Sequence, residues 1–425
     1  MRGCSVHARF RALETWSEWK RRLDMRLKAA RRGFSISVAV AITLMLAGCM
    51  GKTNIQISPP SCSTNCSPNP EFLYATSADH ISAFSINPST GALGTPVTMA
   101  GPNQGTGMVA SNTLGHLYVS DFLNDAVDGF SVNSSTGGLT AIAGSPFSLG
   151  GTPPGAGGLS SFVSAGSYLY ATDLNAGTVA GFAYNSAGGT LTSVPGSPFS
   201  AGNTPVQAVQ AGSQGKFLYV SNNNDSAGGI SAYNIDFNTG ALTPIAGSPF
   251  PTGSAGSFPG PSAMVVNNNF LYVALAGSAN PNNKIVAFAI DPTTGVLTTL
   301  PGSSFATGSD PLYMALAPVT SVGFQAFLFT ANVQDGTISA FTADDNTGIL
   351  TPVNGSPYAS GTSIGGVTVA PYTTGNGTFF LYASDPQAKA VRAYTIDGNT
   401  GALSAMAGSP FQAGISPALL TVVVP

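Results

Sequence analysis

The sequence predicts an all-β fold: a seven-bladed β-propeller of four-stranded antiparallel blades, closed by a C-terminal strand that completes blade one. Three observations predict it. The composition is rich in turn formers and poor in charge, one strand pattern recurs seven times, and the C-terminus supplies a segment that the first repeat lacks.

The chain of 425 residues contains 52 Gly and 30 Pro and is only 8% charged and 9% aromatic, which favours many short strands joined by tight turns over long amphipathic helices. A hydrophobic fraction of 43% is ample for a sizeable core. From Phe72 onward one pattern recurs: an aromatic-Leu-Tyr strand, a polar loop, an Ile/Val-x-Ala-Phe/Tyr strand, a Thr-Gly turn, a Leu-Thr strand and then Gly-Ser-Pro-Phe. The Leu of the first of these strands stands at Leu73, Leu117, Leu169, Leu218, Leu271, Leu328 and Leu381, a mean spacing of about 51 residues. Seven copies at that period indicate a propeller or an array. The Thr-Gly-x-Leu turn begins at Thr90, Thr136, Thr239, Thr294, Thr347 and Thr400, and only repeat three departs, with Gly188-Gly189-Thr190-Leu191. Asn, Asp and Gly around these tips suit a hairpin that needs positive φ, so they read as turns and not as binding loops.

The alternation within Ile230-Ser231-Ala232-Tyr233-Asn234-Ile235 puts Tyr233 and Ile235 on one face and small residues after Ile230 on the other. Ile81-Ser82-Ala83-Phe84 and Ile285-Val286-Ala287-Phe288 repeat it. Small against large is what radial stacking of wedge-shaped blades demands, so these aromatics are assigned to the core. In repeats two to seven an apolar segment such as Ser262-Ala263-Met264-Val265-Val266 precedes the aromatic-Leu-Tyr strand and reads as the innermost strand of its blade. The first repeat has none, and Pro417–Val424 matches the missing piece. Closure by that segment removes an exposed edge.

Ahead of the repeats the chain changes character. Ten of its fifteen Lys and Arg precede Gly33, and residues 34–47 form an uncharged apolar run that ends in Leu46-Ala47-Gly48-Cys49. The run is too short to span a bilayer and has the form of an export signal, and its end resembles a bacterial lipobox, with cleavage before Cys49 and acylation of its thiol. Both tryptophans, Trp16 and Trp19, lie in an extension with mixed charges, so translation is expected to start at Met25. Residues 50–70 are Ser-, Pro- and Asn-rich without periodicity and read as a flexible tether, whose Cys62 and Cys66 either close a small loop or have no chemical role. The expected organisation is therefore a signal peptide over 1–48, lipidated Cys49 with its tether over 49–70, and the propeller over 71–425. The expected location is a bacterial membrane, on its periplasmic side or at the cell surface, with the lipid anchor as the membrane contact.

Beyond Cys49 five basic residues face fifteen acidic ones, a formal charge of −10. Nucleic acid is excluded as a partner, because phosphate binding requires clustered Lys and Arg. The residue after each Leu-Tyr-containing strand is Ser77, Asp121, Asp173, Asn222, Leu275, Asn332 and Asp385 in turn, a polar ring with further acids at Asp79, Asp125, Asp128, Asp225 and Asp335. Asp121, Asp173, Asn222, Asn332 and Asp385 are the candidate ligand-binding residues. Such a ring could hold a hard cation, which takes six to eight oxygen ligands. Equally, these side chains could cap strand ends by bonding to nearby backbone. No established calcium-loop spacing, Gly-x-Ser-x-Gly elbow, His-Glu-x-x-His or phosphate loop is present, and no metal or cofactor is expected.

The repeated Leu-Tyr-Val/Ala-Ser/Thr strand, as in Leu117-Tyr118-Val119-Ser120 and Leu218-Tyr219-Val220-Ser221, together with the Thr-Gly-x-Leu-Thr turn, resembles the seven-bladed propellers of the lactonase family. That family includes 6-phosphogluconolactonase-like proteins and the related YVTN repeat proteins, and the resemblance spans about residues 72–425. It implies an enzyme that uses His, Glu and Arg near the central channel to bind an anionic sugar lactone and activate water. Beyond Cys49 this chain has one Glu (Glu71), one Arg (Arg392) and two His (His80 and His116). His80, read as lying in a loop between strands, and Arg392 are the candidate catalytic residues, whereas His116, just ahead of a strand, reads as a surface residue. Both motifs of the resemblance specify blades and not chemistry. Two functions follow as expectations: a non-catalytic binding or scaffold propeller recognising a protein or glycan, and a carbohydrate lactone hydrolase.

Overall fold

In the computed structural model the described residues are 70–424 apart from 112–114, 150–157, 203, 212–214, 224–228, 254–259, 278–282, 319–324 and 371–378. The export signal, Met25, Cys49, Cys62, Cys66 and Asp225 lie outside them.

The described residues form seven antiparallel sheets and no helix, and each sheet is one blade. Blade four illustrates the order, with an inner strand Pro205–Ala211, a second strand Phe217–Asn222, a third strand Gly229–Ile235 and an outer strand in two pieces, Leu242–Pro244 and Phe250–Pro251. Both outer pieces pair with the third strand, the first with Tyr233–Ile235 and the second with Gly229–Ile230. The Gly-Ser-Pro-Phe segment makes that break. Its Ser hydroxyl accepts the third-strand N–H left unpaired in the gap, from Ala232 to Ser248 Oγ at 2.9 Å, and Ser145, Ser197, Ser356 and Ser409 do the same for Gly129, Gly181, Ala340 and Ala393. A buried N–H that lost its ladder partner would otherwise be costly. Blade one has no such segment; its outer strand Val97–Ala100 pairs with His80–Ala83, and Leu93 alone bridges Ile86 at the other end of the third strand.

Ring closure is as the sequence predicts. Leu419–Val423 pairs antiparallel with Phe72–Thr76 as the inner strand of blade one, and the inner strands of successive blades touch around a complete circuit. All five residues of this closing strand are buried. The faces of the third strands also follow the alternation, with Tyr233 and Ile235 packed toward blade three while Ile230 and Ala232 join the core shared with blade five.

Blades are joined by a recurring device that neither motif reveals alone. The Tyr of the second strand donates its hydroxyl to the carbonyl of the turn glycine in the next blade: Tyr74 to Gly137, Tyr118 to Gly189, Tyr170 to Gly240, Tyr219 to Gly295 and Tyr382 to Gly91, at 2.7–2.8 Å. The aromatic residue two positions earlier covers the same glycine. At Gly137, φ is +69° and a Cβ would sit 2.5 Å from the Phe72 ring, so the turn requires glycine on both counts. Each turn is closed by an Asn or Asp whose side-chain oxygen accepts the N–H two residues on, as Asn87 does from Ser89 and Asp291 from Thr293.

The same packing corrects the reading of His116. It opens the second strand of blade two, His116–Asp121, is 6% exposed, and fills the slot that Phe or Tyr occupies in the other blades, against Gly189 and Ile142. Burial lowers its pKa and keeps the imidazole neutral, and its Nδ1 has no partner.

Candidate functional site

The loops joining second to third strands lie on the face that also carries the crossovers between blades, and every candidate residue of the polar ring is found there. Asp121, Asp173, Asn222 and Asp385 end the second strands of blades two, three, four and seven, and Asn332 ends that of blade six. All five are buried. Each is engaged locally. Asp121 accepts from the backbone and the amide of Asn124, Asp173 from the N–H groups of Asn175 and Ala176, and Asp385 from the N–H of Ala388. Asn222 donates to Ser231, and Asn332 to Thr337 and Ser339. These are strand-end and loop-closing bonds, and among the described residues no group of three or more His, Cys, Asp or Glu comes together to hold a metal ion. The amide oxygens of Asn222 and Asn332 are buried without a partner.

Arg392 lies in the third strand of blade seven, Ala390–Ile396. Its Nε and Nη2 both donate to Asp385 Oδ2 at 2.8 Å, with the carboxylate 1% and the guanidinium side chain 27% exposed. The crossover from blade six lies directly against this pair. A Cβ at Gly361, where φ is +97°, would stand 2.6–2.7 Å from Asp385 Oδ2 and from Arg392 Nε and Nη2, so glycine there admits the ion pair between blades. Lys389 is exposed in the adjoining loop.

His80 is the first residue of the third strand of blade one, His80–Ile86, so its place is a strand end and not the loop that the sequence suggests. Its Nδ1 lies 2.6 Å from Asp79 Oδ1, and both side chains are largely in solvent, at 44% and 67% exposure. Such a pair is held weakly. Among the described residues no hydrogen bond or ion pair links the His80–Asp79 pair to the Arg392–Asp385 pair. Blade two carries a third charged group. Asp128, inside the third strand Ala126–Val132 at the register position of Arg392, has its pKa raised to about 6, first by burial and then by the neighbouring Asp121.

The inner strands mix buried apolar residues such as Met108, Phe162, Met264 and Met314 with buried polar ones whose groups are engaged: Ser160 donates to the carbonyl of Val206, Ser262 to that of Pro311, and the side-chain oxygen of Gln207 accepts the N–H of Met264. Glu71, the one glutamate after Glu18, is far from this face. It opens the second strand of blade one beside the turns of the opposite face, and is 3% exposed. The sequence carried no sign of its burial, which depends on blade seven.

Residues 56–258 match the family model described as lactonase, 7-bladed beta-propeller. The chain is a seven-bladed β-propeller. Among solved structures, this propeller is similar to a protein of Bacteroides uniformis described as a candidate 6-phosphogluconolactonase, at 18% identity and a TM-score of 0.64, covering 83% of this chain and 99% of that one. A similarly described protein of Bacteroides fragilis gives 15% identity and a TM-score of 0.63, with 85% and 100% covered. The periplasmic gluconolactonase of Pseudomonas aeruginosa gives 19% and 0.52, with 68% and 79% covered. At these identities the likeness establishes the fold alone. A search of curated proteins found no match.

Proposed function

We propose that this lactonase-like propeller is a membrane-tethered, extracytoplasmic module whose work is binding or scaffolding and not catalysis, with a protein or glycan recognised on the polar face. One observation carries the reading. Arg392 and the imidazole of that face are each already paired, Arg392 with Asp385 and His80 with Asp79, in different blades and, among the described residues, without a bond between the pairs. A hydrolase needs base, carboxylate and anion-binding group converging on one reacting centre. The tether rests on Leu46-Ala47-Gly48-Cys49 after an apolar run, and radiolabelled palmitate should enter the wild type and not Cys49→Ser.

The second reading, a carbohydrate lactone hydrolase, is favoured by the family match over residues 56–258 and by neighbours described as 6-phosphogluconolactonases or a gluconolactonase. In it His80 or an Asp serves as base, and Arg392 binds the acid group with the N–H groups not turned to Asp385. Hydrolysis of a panel of sugar lactones, phosphorylated and not, decides between the two. The binding module gives the uncatalysed rate, and Arg392→Ala gives the same. Turnover above that rate, lost in Arg392→Ala, would replace the first reading by the second.

A further inference from the structure

The seam between blades seven and one is where the two ends of the fold meet, and an unpartnered carboxyl is buried in it. Alternation along Glu71–Thr76 sends Phe72 and Tyr74 toward blade two, into the core with Met108 and Leu117, and sends Leu73 and Ala75 toward blade seven, into the core with Phe380, Tyr382 and Met406. Glu71 shares the second face. Across the strand it pairs with Ile86, and its neighbour Phe72 pairs with Val423 of the closing strand. Its carboxyl therefore points at the blade-seven side of the joint, 3% exposed, with Oε1 lacking any hydrogen-bond partner.

Among the described residues, the groups on that face offer an anion no donor. The second strand of blade seven contributes Phe380 and Tyr382, and Tyr382 Oη is already spent on the carbonyl of Gly91. The third strand of blade one contributes Ile86, and the closing strand Val422, which shares this core. Tyr382 is the titratable side chain that faces it, and no Lys, Arg or His of the described residues forms an ion pair with it. A protonated carboxyl in such a place is a small polar group with one unmet bond, whereas an ionised one is an unpaired charge in an apolar joint.

We infer that Glu71 is a proton-operated latch on ring closure: with its carboxyl protonated the blade seven–blade one seam is tight, and with it ionised the closing strand Leu419–Val423 loosens. Desolvation by burial raises the pKa of Glu71 from 4.5 to about 7, which puts the change within the ordinary pH range. The direction follows from linkage. A raised folded-state pKa means that the folded protein holds the proton more tightly than the unfolded chain, so closure weakens as pH rises from 4.5 toward 7 and is weakest above it. The device differs from the seams elsewhere in the ring. The residue before the aromatic-Leu strand core is Ser167 in blade three and Lys216 in blade four, and Lys216 reaches out to the carbonyl of Thr293 on the surface.

The test is amide hydrogen exchange of the full chain in detergent, read on the peptide covering 419–423 and corrected for the intrinsic pH dependence of exchange. Wild-type protection of that strand should fall more than tenfold between pH 5.5 and 8.5, and Glu71→Gln, which keeps the shape and cannot ionise, should hold the acid value throughout. Because Asp128 titrates in a nearby range, the comparison with Glu71→Gln, and not the wild-type profile alone, is decisive. Equal pH dependence in wild type and Glu71→Gln, or none in either, overturns the latch. Should Glu71→Gln not fold, carboxyl NMR with labelled glutamate in the chain carrying Glu14→Gln and Glu18→Gln reads Glu71 as the single glutamate. A midpoint near 7 together with loosening of 419–423 over the same range upholds the proposal, and a midpoint in the normal carboxyl range ends it.

Discussion

The tyrosine hydroxyls that bridge blades give a matched pair of substitutions within one protein. Tyr219 donates to Gly295 across a blade interface at 2.7 Å, whereas Tyr272, its counterpart one blade on, is fully buried with its hydroxyl unpartnered. Tyr219→Phe strands the buried carbonyl of Gly295 and should cost about 1–2 kcal/mol. Tyr272→Phe removes a buried hydroxyl that bonds to nothing and should be neutral or stabilising; chemical denaturation of the two variants beside wild type checks both at once. At the turn glycines, Gly137→Ala combines positive φ with a Cβ 2.5 Å from the Phe72 ring and should cost about 2–4 kcal/mol. The Leu-Tyr and Thr-Gly motifs were each visible in the sequence. That they touch across blades was not, because the partners stand 63–76 residues apart within the run of the chain, and 291 apart where blade seven meets blade one.

Strands in this fold are short, and none carries its blade alone except at the closure. Removal of residues after Gly414 takes away Leu419, Leu420, Val422 and Val423, all within 1% of complete burial, together with the ladder to Phe72–Thr76. At about 1.5–3 kcal/mol for each buried apolar side chain the loss is roughly 6–12 kcal/mol, comparable with the whole stability of an ordinary domain. The truncated chain should therefore show no cooperative thermal transition by circular dichroism, and a melt at the wild-type temperature would refute the claim that this strand holds the ring. The outer strands behave differently. They are broken in blades two to seven by the Gly-Ser-Pro-Phe segment or its variants, Gly-Ser-Ser-Phe at Gly302–Phe305 and Gly-Ser-Pro-Tyr at Gly355–Tyr358, and the break protects an edge that would otherwise be free to pair. The element order was legible from periodicity, including the strand borrowed from the C-terminus. The split of the outer strand was not, since only the Ser hydroxyl meeting the third strand gives that segment a place.

Across the whole molecule, titratable groups removed from solvent pull stability in opposite directions with pH. Glu71, and to a lesser extent Asp128, hold protons more tightly when folded, so their contribution declines as pH rises from near 4 toward 6 or 7. His116 is held neutral by burial, so stability declines as pH falls below its ordinary value of 6.5. His116→Phe, which restores the ring found in that slot in other blades, should flatten the acid limb of the melting temperature against pH while leaving the alkaline limb unchanged. With two ion pairs among the described residues, one of them exposed, melting temperature should also change little with added salt. The candidate site was legible only as residue types. Asp121, Asp173, Asn222, Asn332 and Asp385 were found from their place after each Leu-Tyr strand, but whether they are free or used as caps depends on which N–H groups the loops turn toward them. By itself the sequence determined the number of blades, the order of strands and the closure by residues near the C-terminus, because periodicity and turn chemistry are local and repeat seven times. The tertiary structure alone decided that Arg392 is clamped by Asp385, that His116 is buried and that Glu71 faces a dry seam. Those facts depend on contacts between blades distant along the chain, and burial is set by the neighbour that arrives from elsewhere in it.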